Sequence, residues 1–277
     1  MKFPGIIHNH SACSKEGCYA LEILRERWVS SFYFAAMTEH AERTNEDAYF
    51  NYIQSCDRLS DNRFRFIPGL EVATTSGDML LLGCRKFICS TEPFEVVYEA
   101  RKEQNCVILL AHPEQGRIMP DVLKLVDGFE GWNSGHMGGY MPPLDWFLDW
   151  RRRYAPDKIM TGGNDIHKID PKRKILTIVE SESPDETDLL NALRQYRFIT
   201  TNGIFSFTSS GHSFFHRTPS TAYQVTGHTS FAALAYSYRV SWQAINAGIE
   251  LGSATLTTLG VDKAKRTQLN RLLRQYL

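Results

Sequence analysis

What this sequence lacks narrows it first. No stretch approaches the roughly 18 consecutive apolar residues of a membrane-crossing helix. The opening Met1–His8 carries no apolar run of the kind an export signal needs. The expectation is a cytoplasmic protein without a membrane partner. Cysteine is sparse and unpatterned: Cys13, Cys18, Cys56, Cys84, Cys89 and Cys106 contain no CxxC pair and no regular spacing. That argues against a zinc finger and a disulfide framework and points to reduced thiols. Charge of one sign is missing too, because 31 basic and 31 acidic residues cancel to +0. Nothing in that balance draws the whole chain to nucleic acid or anionic lipid. A Walker loop, a dinucleotide-binding glycine fingerprint and a GxSxG elbow are all absent, which removes support for nucleotide-driven, hydride-transfer and serine-hydrolase chemistry.

What is present is an alternation of short apolar runs with helix-period segments from the N-terminus to about residue 205. That pattern predicts an α/β fold of repeated strand–helix units around a mostly parallel sheet or barrel. Strands are predicted at Phe3–Ile7, Phe32–Met37, Phe64–Ile67 running into Leu70, Met79–Leu82, Val107–Leu110, Gly128–Trp132, Lys158–Thr161, Ile175–Val179 and Phe198–Thr200. Helices are predicted at Ala20–Trp28, Glu46–Leu59, Phe94–Gln104, Pro143–Tyr154 and Glu186–Tyr196. The polar stretch Ser206–His228 reads as a loop or short irregular β segment, and Ser230–Leu277 as two or three helices. The division is therefore a domain over 1–205 and a linker with a mainly helical extension over 206–277. From residue 206 onward seven bases face two acids. The extension suits docking or self-association, leaving a homo-oligomer open, and a nucleic-acid contact is the alternative.

The chemistry sits at strand ends. Ile6-Ile7-His8-Asn9-His10 presents two imidazoles at i and i+2, the spacing that puts both on one face of a strand. Two such nitrogens can share one divalent cation. Gly163-Asn164-Asp165-Ile166-His167 repeats the arrangement with a carboxylate and an imidazole. Between these pairs, His40, Glu71 and His112 each follow an apolar strand, so five of the nine histidines occupy strand ends. In a (β/α) barrel those ends meet on one rim. Glu39 and Asn164 sit beside ligand positions but face the other way, which predicts an outer supporting or packing role.

The order and wording of these segments resemble the PHP family, named for its polymerase and histidinol phosphatase members, across roughly residues 5–203. The opening His8-Asn9-His10-Ser11-Ala12-Cys13-Ser14-Lys15-Glu16-Gly17 resembles the family's first motif, with Glu16 where aspartate is usual. Thr38-Glu39-His40, Gly69-Leu70-Glu71, Ala111-His112-Pro113 and Gly163-Asn164-Asp165-Ile166-His167 resemble its TDH, GIE, AHP and GSDAH motifs. Ala192–Gly203 resembles its closing segment. The resemblance implies a distorted (β/α)7 barrel, a C-terminal mainly helical extension, and two or three divalent ions of zinc, manganese or iron. By matched position, His8, His10, Glu71 and Asp165 hold one ion, with Glu71 bridging. Glu16, His40 and His167 hold another. Glu71 and His112 contribute to a third, whose remaining histidine ligand is replaced in Leu80-Leu81-Leu82-Gly83; that leaves the third ion absent, weakly held or completed by His136, and the expectation is two firmly bound ions.

On this reading Glu71, His112 and Asp165 carry catalysis. Two cations can clamp phosphoryl oxygens and activate water, and Arg43, Arg117 and Lys168 are the bases best placed to bind a substrate phosphate. The expected activity is hydrolysis of a phosphate ester: a small phosphomonoester, a nucleotide or an oligonucleotide end. The alternatives are a non-catalytic metal-bearing scaffold and a metal-dependent amidohydrolase.

Overall fold

The computed structural model describes residues 1–113, 120–136, 153–169, 175–202, 205–208, 213–217 and 222–226. The chain divides into two compact units, Met1–Gly227 and His228–Leu277. Residues 143–152 of the predicted helix Pro143–Tyr154, and the predicted C-terminal helices, lie outside the described residues. Among the described residues no helix is long and apolar enough to cross a membrane.

Short apolar runs form the strands because both of their faces are covered. Phe34–Met37 and Val107–Leu110 are buried at every position, which is why they read as continuous hydrophobic runs rather than alternating ones. The first sheet contains β1 (Lys2–Asn9), β2 (Phe34–Met37), β4 (Arg65–Ile67), β10 (Leu176–Glu180), β11 (Phe198–Thr201), β12 (Phe205–Thr208), β13 (Ser213–Arg217) and β14 (Ala222–Thr226). Its order is β14-β13-β12-β11-β10-β1-β2-β4. The second contains β3 (Glu39–His40), β5 (Gly69–Thr74), β6 (Gly77–Leu82), β7 (Val107–Leu110), β8 (Gly128–Asn133) and β9 (Ile159–Gly163), in the order β3-β5-β6-β7-β8-β9.

The expectation of a mostly parallel sheet is corrected here, because both sheets are mixed. Strand β1 pairs antiparallel with β10 and parallel with β2, and β6 is antiparallel to both β5 and β7. The reason is local for β5 and β6: only Thr75 and Ser76 separate them, and a parallel connection needs a crossover of a dozen or more residues. Gly77, at φ 99°, closes the hairpin in the left-handed region open to glycine. Beyond residue 205 the first sheet continues through β12, β13 and β14 as an antiparallel meander.

The sheets are joined at two places. Strands β2 and β3 are separated by Thr38, and β4 and β5 by Pro68, which has no N–H to continue the ladder. Across that break the β2–β4 pairing gives way to the β3–β5 pairing. On the other side Asn164 N–H donates to Ile7 O at 3.0 Å, and His10 N–H to Ile166 O at 2.9 Å. Asn9 and Ile166 form a parallel bridge there.

Helices α1 (Leu21–Trp28), α2 (Glu46–Arg58), α3 (Pro93–Ala100), α4 (Pro120–Leu125) and α5 (Glu186–Arg194) accompany the strands. In α2 the buried Tyr49, Tyr52, Ile53 and Cys56 fall at three- and four-residue spacing, and Asn45 Oδ1 caps the first turn by accepting from Ala48 N–H at 2.9 Å. Pro93 opens α3, where its missing N–H costs no hydrogen bond. The core collects alternate strand residues, among them Ile7, Phe34, Ala36, Ile67, Leu80, Leu82, Val107 and Leu109, with Leu189, Leu190 and Leu193 of α5. Each buried leucine or isoleucine there contributes about 1.5–3 kcal/mol by leaving water. That apolar floor holds the strand ends, and with them the site, in fixed relation.

A candidate metal centre at the strand ends

Eight side chains separated by up to 159 residues in sequence meet here, carried by β1, β3 and β5 and by the chain that follows β1, β7 and β9. His8 and His10 leave β1 with both Nε2 atoms turned to the same two carboxylates. They lie 3.2 and 3.3 Å from Glu71 Oε2, and 3.4 and 3.1 Å from Asp165 Oδ1. These four residues offer ligand atoms within 4.8 Å of one another.

His40 follows on β3, its Nε2 3.6 Å from Glu71 Oε2 and 3.4 Å from His167 Nε2. Glu16 Oε2 lies 3.9 Å from His40 Nε2 and 3.6 Å from His167 Nε2. His112 approaches Glu71 from the other side, with Nε2 3.3 Å from Oε1. One oxygen of Glu71 thus faces three imidazoles and the other faces a fourth. The centre is deepest at His8, His10 and Glu71, at 0, 1 and 2% exposure, and opens to solvent at His40, His167 and Glu16.

The backbone is bent to achieve this. His8 (φ 63°), His112 (φ 22°) and Asp165 (φ 50°) all occupy the left-handed region, which non-glycine residues enter at a cost of about 1–3 kcal/mol and which surrounding structure must impose. The donor set itself fits divalent cations. His40 and His167 direct Nε2 at Nε2, an arrangement in which a neutral pair satisfies at most one lone pair, whereas a shared cation satisfies both.

Electrostatics within the cluster are strongly coupled. Burial favours the neutral form of His8, but the Glu130 and Glu71 carboxylates outweigh it and raise its pKa well above the ordinary histidine value. Burial dominates at His10 and pushes its pKa down to about 4. Glu71 is buried, which acts to raise its pKa, yet His8, His112 and His10 hold it well below the carboxylate range. Asp165 is likewise lowered, against its own burial, by His10 and His8.

An outer layer positions these groups. Glu130 of β8 is fully buried; its Oε1 lies 2.9 Å from His8 Nδ1, and its Oε2 accepts from His112 N–H at 2.8 Å and Asn133 Nδ2 at 2.9 Å. Glu39 accepts from Ser11 N–H, Ser14 N–H and Ser14 Oγ; these bonds fasten the turn that carries Glu16. Asn164 Nδ2 donates to Ile175 O, and Asn164 Oδ1 accepts from Ile175 N–H, both at 2.8 Å.

The remaining candidates fall as follows. Arg43 is exposed at the rim, with Nε 3.1 Å from Glu16 Oε1. Lys168 is exposed beside His167, and Arg117 lies outside the described residues. His136 stacks on His112 at 4.2 Å between ring centroids and sets Nε2 2.6 Å from Asp165 Oδ2. Leu80, at the position of the missing histidine, is part of the apolar core. Sequence reasoning missed Glu130 and Asp78. A glutamate in the middle of the apolar run Gly128–Trp132 was the available signal for the first, since buried carboxylates are rare unless partnered.

No family model and no curated protein matches this sequence. Solved structures do. A two-domain protein from Bacteroides vulgatus ATCC 8482, containing a predicted PHP-like metal-dependent phosphoesterase, superimposes with a TM-score of 0.53 at 17% identity. The match covers 73% of this chain and 65% of that protein, so this chain spans under two thirds of its length. PsfC from Pseudomonas syringae PB-5123 matches with a TM-score of 0.50 at 12% identity, over 87% of this chain and 99% of that one. At these identities the likeness concerns the fold. The chain has a PHP-like α/β fold, and its described strand ends bear groups of histidine, glutamate and aspartate that can hold metal.

Proposed function

We propose that this protein is a metal-dependent phosphoesterase. The observation that carries the reading is Glu71, a buried carboxylate whose two oxygens face four imidazoles within 3.6 Å. On this reading the paired breaks at Thr38 and Pro68, and the hydrogen bonds from β1 to the chain after β9, close β1, β2/β3, β4/β5, β6, β7, β8 and β9 into one distorted seven-stranded barrel, with the ligands on its rim.

His8, His10, Glu71 and Asp165 would hold one ion, and Glu16, His40 and His167 a second. Glu71 and His112 contribute to a third. Divalent ions there supply Lewis acidity toward phosphoryl oxygens and lower the pKa of a bound water. The chain's own residues do the rest. Glu130 fixes the His8 ring so that Nε2 faces inward, Glu39 anchors the turn bearing Glu16, and Arg43 and Lys168 offer cationic donors to the phosphate at the open side of the cluster. The substrate class is a small phosphomonoester, a nucleotide or an oligonucleotide end, with zinc, manganese or iron as the ions. Arg43 beside the metal groups favours phosphate over an amide.

Purified protein supplied with manganese or zinc is expected to release p-nitrophenol from its phosphate ester, or inorganic phosphate from a nucleotide panel. His10→Ala and Asp165→Ala abolish the release. Undiminished turnover in both variants refutes the assignment.

A further inference from the structure

The ligand groups differ in chemistry from one side of the cluster to the other. His10, His40 and His167 form an all-imidazole group, whereas Glu71, Asp78 and His112 bring two carboxylates and one imidazole within 4.8 Å. Asp78, the second residue of β6, pairs with Ala73 of β5, which lies two positions beyond Glu71 on the same strand face. Its carbonyl accepts from Ala111 N–H at 2.9 Å, which ties Asp78 to the residue preceding His112. The side chains then converge, with His112 Nε2 3.3 Å from Glu71 Oε1 and 3.9 Å from Asp78 Oδ2. Leu80, two residues on, enters the apolar core instead.

A second observation points to a cation. Glu71 is almost wholly buried, and among the described residues the ion-pair partners of Glu71 and Asp78 are histidines, with no lysine or arginine near either acid. Two carboxylates set around one imidazole, with histidines as their described ion-pair partners, make a donor set rich in oxygen that a divalent cation can occupy.

We infer that Asp78 takes the place of the absent histidine and makes, with Glu71 and His112, an oxygen-rich seat for a hard divalent cation of the manganese class. The inference rests on the metal-dependent reading of the cluster and gives its two sides different preferences. Imidazole groups favour zinc, while carboxylates favour manganese and magnesium. His136 is then not needed as a ligand of this seat.

The test is metal uptake by the full-length chain rather than turnover. Chelator-stripped protein is preloaded with zinc to saturation of its tight positions and titrated with manganese, free manganese being read by its electron paramagnetic resonance signal. Wild type is expected to take up one manganese equivalent more than Asp78→Asn, or to hold it at least tenfold more tightly, with the zinc equivalents equal in the two. Asp78→His is expected to convert the manganese equivalent into an additional zinc equivalent, and a circular dichroism melt checks that each variant is folded. Equal manganese uptake by wild type and folded Asp78→Asn overturns the assignment. So does loss of the manganese equivalent in His136→Ala but not in Asp78→Asn. A wild-type chain that takes up neither ion is a different result, which overturns the metal-dependent reading itself.

Discussion

Glu130 Oε1 and His8 Nδ1 lie 2.9 Å apart, both groups fully buried, in the interior beneath the ligand cluster. The contact fixes which ring nitrogen of His8 carries a proton and therefore which one is offered to a metal. Gly163 makes room for it, because a Cβ at that position would run into the Glu130 carboxylate.

Two substitutions follow from that contact. Glu130→Gln keeps the volume but removes the charge facing His8, and metal affinity is expected to fall about 10- to 100-fold. Gly163→Ala is expected to weaken binding as well, by displacing the same carboxylate. Calorimetric titration of both variants with zinc checks this; affinities equal to wild type would show that Glu130 is a packing residue only.

Metal removal should destabilise the protein. The cluster buries acids and imidazoles that a cation would neutralise, and a ligand at about 100 times its Kd adds about 2.7 kcal/mol to stability. For a chain of this size that corresponds to about 5 °C in Tm. A thermal melt before and after chelation, with zinc or manganese restored, measures the difference. The melt should fall on chelation and recover on addition of metal.

Leu80→Ala separates the core from the site. Leu80 is fully buried among apolar side chains, so its truncation is expected to cost about 2–5 kcal/mol through lost burial and a cavity. Denaturant unfolding reads the loss. Zinc stoichiometry of the folded fraction stays at the wild-type value, because Leu80 contributes no ligand.

Arg43→Ala addresses substrate binding. The Arg43–Glu16 pair is largely exposed, and exposed pairs contribute about 0–1 kcal/mol, so Tm should hardly move. A lost charge-assisted hydrogen bond to phosphate costs about 1.5–3 kcal/mol, which is an increase in KM of roughly 10- to 100-fold. Steady-state kinetics on the best phosphate ester found in the panel measures it.

Much of this architecture was legible in the sequence. Strands such as Phe34–Met37 and Val107–Leu110 announce themselves as continuous apolar runs because both faces are covered, and α2 shows its buried face by the spacing of Tyr49, Tyr52, Ile53 and Cys56. The i, i+2 spacing of His8 with His10, and of Asp165 with His167, was enough to suggest shared ligation. Strand direction was harder to see. The antiparallel placement of β6 turns on the short Thr75-Ser76 connection, and that of β10 against β1 depends on contacts made nearly 180 residues apart. Asp78 and Glu130 escaped notice because a single acid in a strand carries no periodic signal. Their roles depend on which strand end each side chain faces, and that is a property of the assembled sheet.

Glu71 gives its two oxygens to different neighbours. On the proposed reading the ions on its two sides would share this one carboxylate, so their affinities would be thermodynamically linked, each depending on whether its neighbour is already in place.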